Sequence, residues 1–280
     1  MSVPGADGEL GAELVCAIDL ARAAGAEVVR MRKLAVDVEM KPGDEPVTLA
    51  DKRASDMILT GLAARFPKDP VISEEAAPTP EALSAPRVWL VDPIDGTKDY
   101  IKGTDGFSVM IGIMRAGRPV LGVVYQPTID RLFYATPDGA YVATAKGVEP
   151  LHVSNIADVA AVRFVASASH RSVELDRVKT TLGIDNELNV GSVGVKLCLI
   201  ALGVRDLYVN PASKTKAWDT CAPEAILHRA GGRLSDLFGA PIDYHQLGQP
   251  SGLVASNRRV HDDVIAKLAP LFAHLRPPAS

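Results

Sequence analysis

The segment Val88-Trp89-Leu90-Val91-Asp92-Pro93-Ile94-Asp95-Gly96-Thr97 concentrates more chemistry than any other stretch of this chain. Its four apolar residues predict a buried strand. A carboxylate stands at the strand's carboxyl end, followed by a proline that fixes the turn and by a second acid. Burying two carboxylates beside an apolar strand is costly unless a cation or hydrogen-bond donors compensate. Carboxylate oxygens and backbone carbonyls are what hard Mg²⁺ accepts. Asp95-Gly96-Thr97 also reads as a helix start, whose N–H groups suit a phosphate. Taken alone, Asp92 ending a strand and Asp95 capping a helix would describe these residues equally well. Gly96-Thr97 directly behind them tilts the reading towards a site.

Two further acidic elements join it. Val71-Ile72-Ser73-Glu74-Glu75 is a short apolar strand ending in carboxylates, which in isolation would be a solvated turn. Trp218-Asp219-Thr220-Cys221-Ala222-Pro223-Glu224 opens a helix closed by Gly231-Gly232, where Asp219 by itself is an N-cap. Both tryptophans, Trp89 and Trp218, precede these acids.

The order Asp51, Glu74-Glu75, Asp92-Pro93-Ile94-Asp95-Gly96-Thr97 and Trp218-Asp219 resembles the signature of the Mg²⁺-dependent, lithium-sensitive phosphatase superfamily. That superfamily holds the inositol monophosphatases, fructose-1,6-bisphosphatases and 3′(2′),5′-bisphosphate nucleotidases. The likeness spans about Val47 to Tyr244. It implies that Glu74, Asp92 and the Ile94 carbonyl hold one metal, and that Asp92, Asp95 and Asp219 hold a second. Asp51 and Thr97 would then position and activate the attacking water, near a third, weaker site shared with Glu74. The Gly96 and Thr97 amides would hold phosphoryl oxygens.

Physical chemistry supports that division of labour. Ester hydrolysis needs a nucleophile at neutral pH and charge neutralisation on the leaving oxygen, and two or three Mg²⁺ ions supply both. No covalent intermediate is required. An aspartyl nucleophile of the haloacid-dehalogenase type would need D-x-D-G-T, but the residue two before Asp95 is Pro93.

Three segments bear on the substrate. Trp218 to Leu227, Ser167-Ala168-Ser169-His170-Arg171 and Gly191-Ser192-Val193-Gly194-Val195-Lys196 resemble those of bisphosphate nucleotidases of the CysQ type. The resemblance implies substrate contacts from Ser169, His170, Ser192 and Lys196, the lysine meeting the non-scissile phosphate. Ser192 and Lys196 stand one residue further apart than in many relatives, which keeps Lys214, Lys216 and Arg171 as further candidates. His170 is otherwise a loop histidine and Lys196 a solvated helix residue. The implied activity is removal of the 3′-phosphate of 3′-phosphoadenosine 5′-phosphate, giving AMP, a role that in the family accompanies sulfate assimilation. An inositol-monophosphatase-like or broad small-molecule phosphatase is the alternative. A catalytically dead binding or regulatory relative is disfavoured, because every metal-ligand position is filled.

These residues need elements to position them. Apolar spacing over residues 10–31 predicts a long helix, and alternation over 36–41 a half-buried strand. Thr48 with Asp51 resembles a capping box opening a second helix through Ala63. Short runs at 107–114, 120–125, 131–135 and 140–143, separated by turn residues, predict an antiparallel meander. Beyond 150 the expected order is strand 163–166, helix 174–182, helix 193–202, strand 206–209, helix 220–230, strand 253–256 and helix 261–274. The fold class is α+β, and the resemblance implies a layered α-β-α-β-α sandwich of the inositol monophosphatase type. The antiparallel sheet would lie in the N-terminal half and a mixed sheet in the C-terminal half. The expected division is a loose tail 1–9, a half 10–150 with most metal ligands, and a half 151–280 with Asp219 and the substrate loops.

Composition sets the outer bounds. At 280 residues, 47% hydrophobic and 23% charged, the chain is ordinary globular material. A net charge of −4 without a Lys/Arg cluster excludes a nucleic-acid groove. The apolar runs are too short to span a membrane. Cys16, Cys198 and Cys221 form no C-x-x-C pair and predict buried free thiols in a reducing cytoplasm. Apolar faces are all explicable as core, which leaves oligomeric state open.

Overall fold

The computed structural model describes residues 3–34, 38–41, 45–76, 80–168 and 172–276. Apolar residues recurring every third or fourth position build the first layer. Helix α1 (Gly11–Arg32) buries Leu14, Ala17, Ile18, Ala21, Ala24 and Val28 on one face. A hairpin of β1 (Val38–Lys41) and β2 (Glu45–Thr48) leads into α2 (Leu49–Arg65). The expected capping box is present, with the Thr48 N–H and hydroxyl both donating to Asp51, at 2.8 and 2.6 Å.

Next come β3 (Val71–Ser73), β4 (Arg87–Asp95), the short helix α3 (Thr97–Lys102), β5 (Ser108–Arg115), β6 (Arg118–Gln126), β7 (Arg131–Thr136), β8 (Gly139–Thr144) and β9 (Gly147–Pro150). Their strands form one seven-stranded sheet in chain order. The meander is antiparallel as predicted, but β3 lies parallel to β4 at its edge. That parallel pair proves decisive for the site.

The remainder is β10 (Phe164–Ser167), α4 (Val173–Leu182), β11 (Glu187–Val190), α5 (Val193–Ala201), β12 (Leu207–Asn210), α6 (Ala217–Arg229), β13 (Arg233–Ser235), β14 (Leu253–Ser256) and α7 (His261–Leu268). A five-stranded sheet in the order β11-β10-β12-β14-β13 has parallel and antiparallel pairs, so it is mixed. The helix expected over 261–274 stops at Leu268, and Ala269–Leu275 is a 3-10 turn. Pro270 explains this, because it offers no N–H to continue the α-helical hydrogen-bond ladder.

Three apolar clusters fill the four interfaces between five layers, the middle one lying on both sides of α5 and α6. Trp89, Val91, Ile111 and Ile113 point to α1 and α2. Val88, Leu90, Met110 and Val124 point the other way, to α5 and α6, which also cover Tyr208, Leu253 and Ala255 of the small sheet. The far face of that sheet packs on α4, α7 and the C-terminal turn. The order is α-β-α-β-α, and burial on both faces accounts for the unbroken apolar run in β4.

Two glycines allow the central layer to close. Gly112 of β5 and Gly122 of β6 are register partners directly beneath α6. A Cβ on Gly112 would meet Cys221 Sγ at 2.8 Å, and one on Gly122 would meet the Ala222 carbonyl oxygen at 2.0 Å. Only a bare backbone lets α6 approach this closely.

His261, fully buried at the start of α7, ties the small sheet to the outer layer. Its Nε2 lies 2.8 Å from Ser235 Oγ on β13 and its Nδ1 2.9 Å from Ser256 Oγ on β14. Burial, with Arg233 nearby, depresses the imidazole pKa from 6.5 to about 4. The unfolded chain therefore binds this proton first, and stability is lost as pH falls from 6.5 towards 4, by up to about 3 kcal/mol. Urea unfolding at pH 7 and pH 5 should show a smaller acid loss in His261→Gln than in the native chain. Equal losses would refute this.

Candidate active site

The carboxylates are brought together by strand register. Ser73 of β3 pairs with Val91 of β4, and the Glu74 N–H donates to the Val91 carbonyl at 3.1 Å. The next residue on each strand is therefore an acid, Glu74 beside Asp92. Past Asp92 the β4–β5 register shifts before resuming at Asp95, an irregularity suited to Pro93, which cannot donate to the ladder. Asp219 arrives from the opposite side, in the first turn of α6, where its carboxylate accepts the Lys216 N–H at 2.7 Å. Carboxylate oxygens of Glu74, Asp92 and Asp219 all lie within 4.8 Å of one another.

Such a cluster is electrostatically unfavourable by itself. Burial, then Glu74, Asp95, Asp219 and Asp51, push Asp92 well above the ordinary carboxylate range. Burial likewise raises Glu74 to about 7 against the opposing pull of Lys41. Lys41, at the end of β1, donates to Glu74 at 2.9 Å and to Glu75 at 2.5 Å. Three convergent hard oxygen donors in a buried, acid-rich setting are a donor set that fits a divalent cation.

Beside them, Asp51 and Thr97 form a second unit. Asp51 Oδ2 takes both Thr48 donors, which leaves Oδ1 to the Thr97 hydroxyl at 3.2 Å. That hydroxyl also lies 3.1 Å from the Ile94 carbonyl oxygen. With one proton and two acceptors it is poised to switch between them. Burial raises Asp51 to about 6, opposed by its bonds from Thr48. Gly96 sets this geometry at φ +99°, with a would-be Cβ 2.9 Å from the Gly106 carbonyl oxygen. A side chain there would be both strained and obstructed.

Asp95 is placed differently. Its carboxylate accepts the Ser192 hydroxyl at 2.5 Å, the Gly194 N–H at 2.7 Å and the Val193 N–H at 3.1 Å. It thus caps α5 from another element, while Gly96 takes the N-cap of α3. These groups face a cavity of about 810 Å³ running from Glu74, Asp92 and Asp219 past Tyr208 and the 211–216 loop to α4 and the C-terminal turn.

The sequence profile described as the inositol monophosphatase family matches residues 12–271. The chain belongs to the inositol monophosphatase family. It is 38% identical over 235 residues to the 3′(2′),5′-bisphosphate nucleotidase CysQ of Salmonella typhimurium, covering 83% of this chain and 93% of that one. It is 33% identical over 260 residues to the histidinol-phosphatase of Streptomyces coelicolor, covering 89% and 94%. The Thermotoga maritima IMPase has the same fold, with a TM-score of 0.81 at 24% identity over 95% of this chain and 100% of that one. Family members are metal-dependent, and Glu74, Asp92 and Asp219 give this member a place for the metal.

Ser192 and Lys196 are both interior residues, and Lys196 lines the cavity. Ser192 is fully buried, 3.0 Å from Ser108 Oγ, and caps α5 by accepting the Val195 N–H at 2.9 Å. Lys196 is only 1% exposed. Its ammonium donates to the Gly191 and Val190 carbonyls at 2.6 and 3.2 Å and lies 5.0 Å from the Tyr208 ring centroid. Burial lowers it to about 8, opposed by Asp95. Two of its three donors thus serve the loop before α5. Ser169, His170 and Arg171 lie outside the described residues. Lys41 went unnoticed in the sequence, where its only signal was a cation ending an alternating strand. Cys16, Cys198 and Cys221 are free and buried, and no described helix is long and apolar enough to cross a membrane.

Proposed function

We propose that this family member is a Mg²⁺-dependent phosphomonoesterase that removes the 3′-phosphate of 3′-phosphoadenosine 5′-phosphate, releasing AMP and phosphate. The observation that carries it is the convergence of Glu74, Asp92 and Asp219 at one end of an elongated cavity, in a chain similar to nucleotidases along most of its length. Glu74, Asp92 and the Ile94 carbonyl would hold one ion, and Asp92, Asp95 and Asp219 a second, with two or three ions in the full site. Bound there, Mg²⁺ supplies positive charge for the phosphoryl oxygens and makes hydroxide accessible at neutral pH.

The protein's own groups orient and deprotonate. Thr97 aligns the attacking water, and Asp51, reached through the Thr97 hydroxyl, draws off its proton. The Gly96 and Thr97 N–H groups hold phosphoryl oxygens, and no covalent intermediate forms. Ser192 holds Asp95 in place, while Lys196 keeps a donor and its charge near the second phosphate, together with the loop lysines Lys214 and Lys216 that line the same cavity; the resemblance adds Ser169 and His170 to these contacts. Sulfate assimilation in the cytoplasm is the physiological setting this activity fits, and lithium is its expected inhibitor.

Thr97→Val should lower kcat by about 10²-fold with Mg²⁺ affinity in calorimetry unchanged. A loss of metal affinity equal to the loss of rate would assign Thr97 to the metal instead. The substrate is tested by phosphate release with Mg²⁺ from the adenosine bisphosphate, its sulfated form, inositol 1-phosphate, fructose 1,6-bisphosphate and histidinol phosphate. Preference for any of the last three overturns the nucleotide assignment and leaves the metal site standing.

A further inference from the structure

The active-site cavity has two chemically different ends. Opposite the carboxylates stand Leu175 of α4 and Phe272, His274 and Leu275 of the C-terminal turn. Neither metal binding nor ester hydrolysis requires that second end. It is nevertheless firmly built. Phe272, 1% exposed, is sunk in the core under α4 and α7. The Ser251 hydroxyl donates to the Leu275 carbonyl at 3.2 Å, and the Arg276 guanidinium lies 4.6 Å over the Phe238 ring. The His274 ring follows Phe272 at 6.4 Å, tilted by 52°. The result is an exposed imidazole and a half-buried leucine on an anchored backbone, with Phe272 and Leu175 buried behind them and the Glu174 carboxylate as an acceptor at the edge.

We infer that the C-terminal turn is the nucleobase wall of this cavity: His274 and Leu275, backed by the buried Leu175, receive the flat face of the substrate's heterocyclic base and set the preference for a nucleotide over a polyol phosphate. This rests on the nucleotidase reading above. A purine has two apolar faces that stack on such side chains and an amino edge that donates to a carboxylate. A phosphorylated polyol carries hydroxyls all round, and would have to desolvate them against Leu175 and Leu275 without return. The cavity's length beyond the carboxylates is thus useful to a base and useless to a polyol.

The test uses the full chain with Mg²⁺, native and as the His274→Ala/Leu275→Ser double variant. Expected is a rise of about ten-fold in KM for 3′-phosphoadenosine 5′-phosphate, and an equal weakening of inhibition by AMP. Inhibition by inorganic phosphate, which has no base, should stay as in the native chain. Unchanged KM and AMP inhibition would overturn the inference, as would equal weakening towards inorganic phosphate. If the double variant melts early, His274→Ala alone, an exposed position, gives the same readout. Should the native chain fail to hydrolyse the nucleotide, the nucleotidase reading falls first and this inference with it, an outcome visible before any variant is made.

Discussion

Asp92→Asn is expected to lower phosphate release by about three orders of magnitude while raising the melting temperature of the metal-stripped protein. The two effects share one cause. Asp92 is 2% exposed and sits among Glu74, Asp95, Asp219 and Asp51, every one of which opposes its charge. Asparagine has the same shape and keeps an oxygen for the Ile94 N–H, now 3.1 Å from Asp92 Oδ1. It cannot ionise, so the penalty that burial and the neighbouring carboxylates place on charging this position disappears from the empty cluster. It also removes the ligand proposed to bridge two ions, whose electrostatic contribution of several kcal/mol corresponds to the predicted loss of rate. Scanning calorimetry in EDTA, paired with phosphate-release assays in Mg²⁺, checks both. A variant that stays active, or melts lower without metal, would show that Asp92 is an ordinary strand-end carboxylate. Opposite signs for activity and stability are what a functional cluster predicts.

Gly122→Ala should be nearly as damaging, although it lies outside the cavity and adds one methyl group. The new Cβ would stand 2.0 Å from the Ala222 carbonyl oxygen, a backbone atom that cannot swing aside. Helix α6 must move off the sheet, and Asp219 in its first turn moves with it. The expected cost is about 1–3 kcal/mol in stability. A misplacement of about 1 Å at the cluster adds a rate loss of up to about 10²-fold. Gly248→Ala is the control, since a Cβ there meets nothing within 4 Å. Equal activity of the two variants would mean that α6 tolerates displacement.

Legibility in the sequence followed the range of each interaction. Asp92 to Thr97 could be read because strand, turn and helix start follow one another directly. The Thr48–Asp51 box was equally visible, its partners being three residues apart. Glu74 was different: its meaning depends on β3 lying parallel to β4, and a three-residue strand shows no preference for either direction. Asp95 was expected at a helix start and is found at one, but the helix it caps begins 98 residues later. Nothing local encodes that. The interior placement of Lys196 was hidden for another reason: α5 is covered by both sheets, which a lysine in a helical sequence pattern does not reveal. β9, β11 and β13 went unpredicted because runs of three or four residues carry too little alternation to stand out. The end of α7 was overextended because its apolar spacing continues through a proline that interrupts the backbone hydrogen bonds.

The sandwiching of α6 between the two sheets has a consequence for biosynthesis. Glu74 and Asp92 lie on a sheet whose last strand ends at Pro150, whereas Asp219 lies on a helix made 67 residues later. A chain emerging from the ribosome can therefore assemble the large sheet with two acids side by side before the third exists. The full mutual repulsion arises only when α6 docks, so this cost falls on one late step of assembly. A cation present at that moment would favour closure directly, and divalent ion supply would then influence the yield of folded enzyme as well as its turnover.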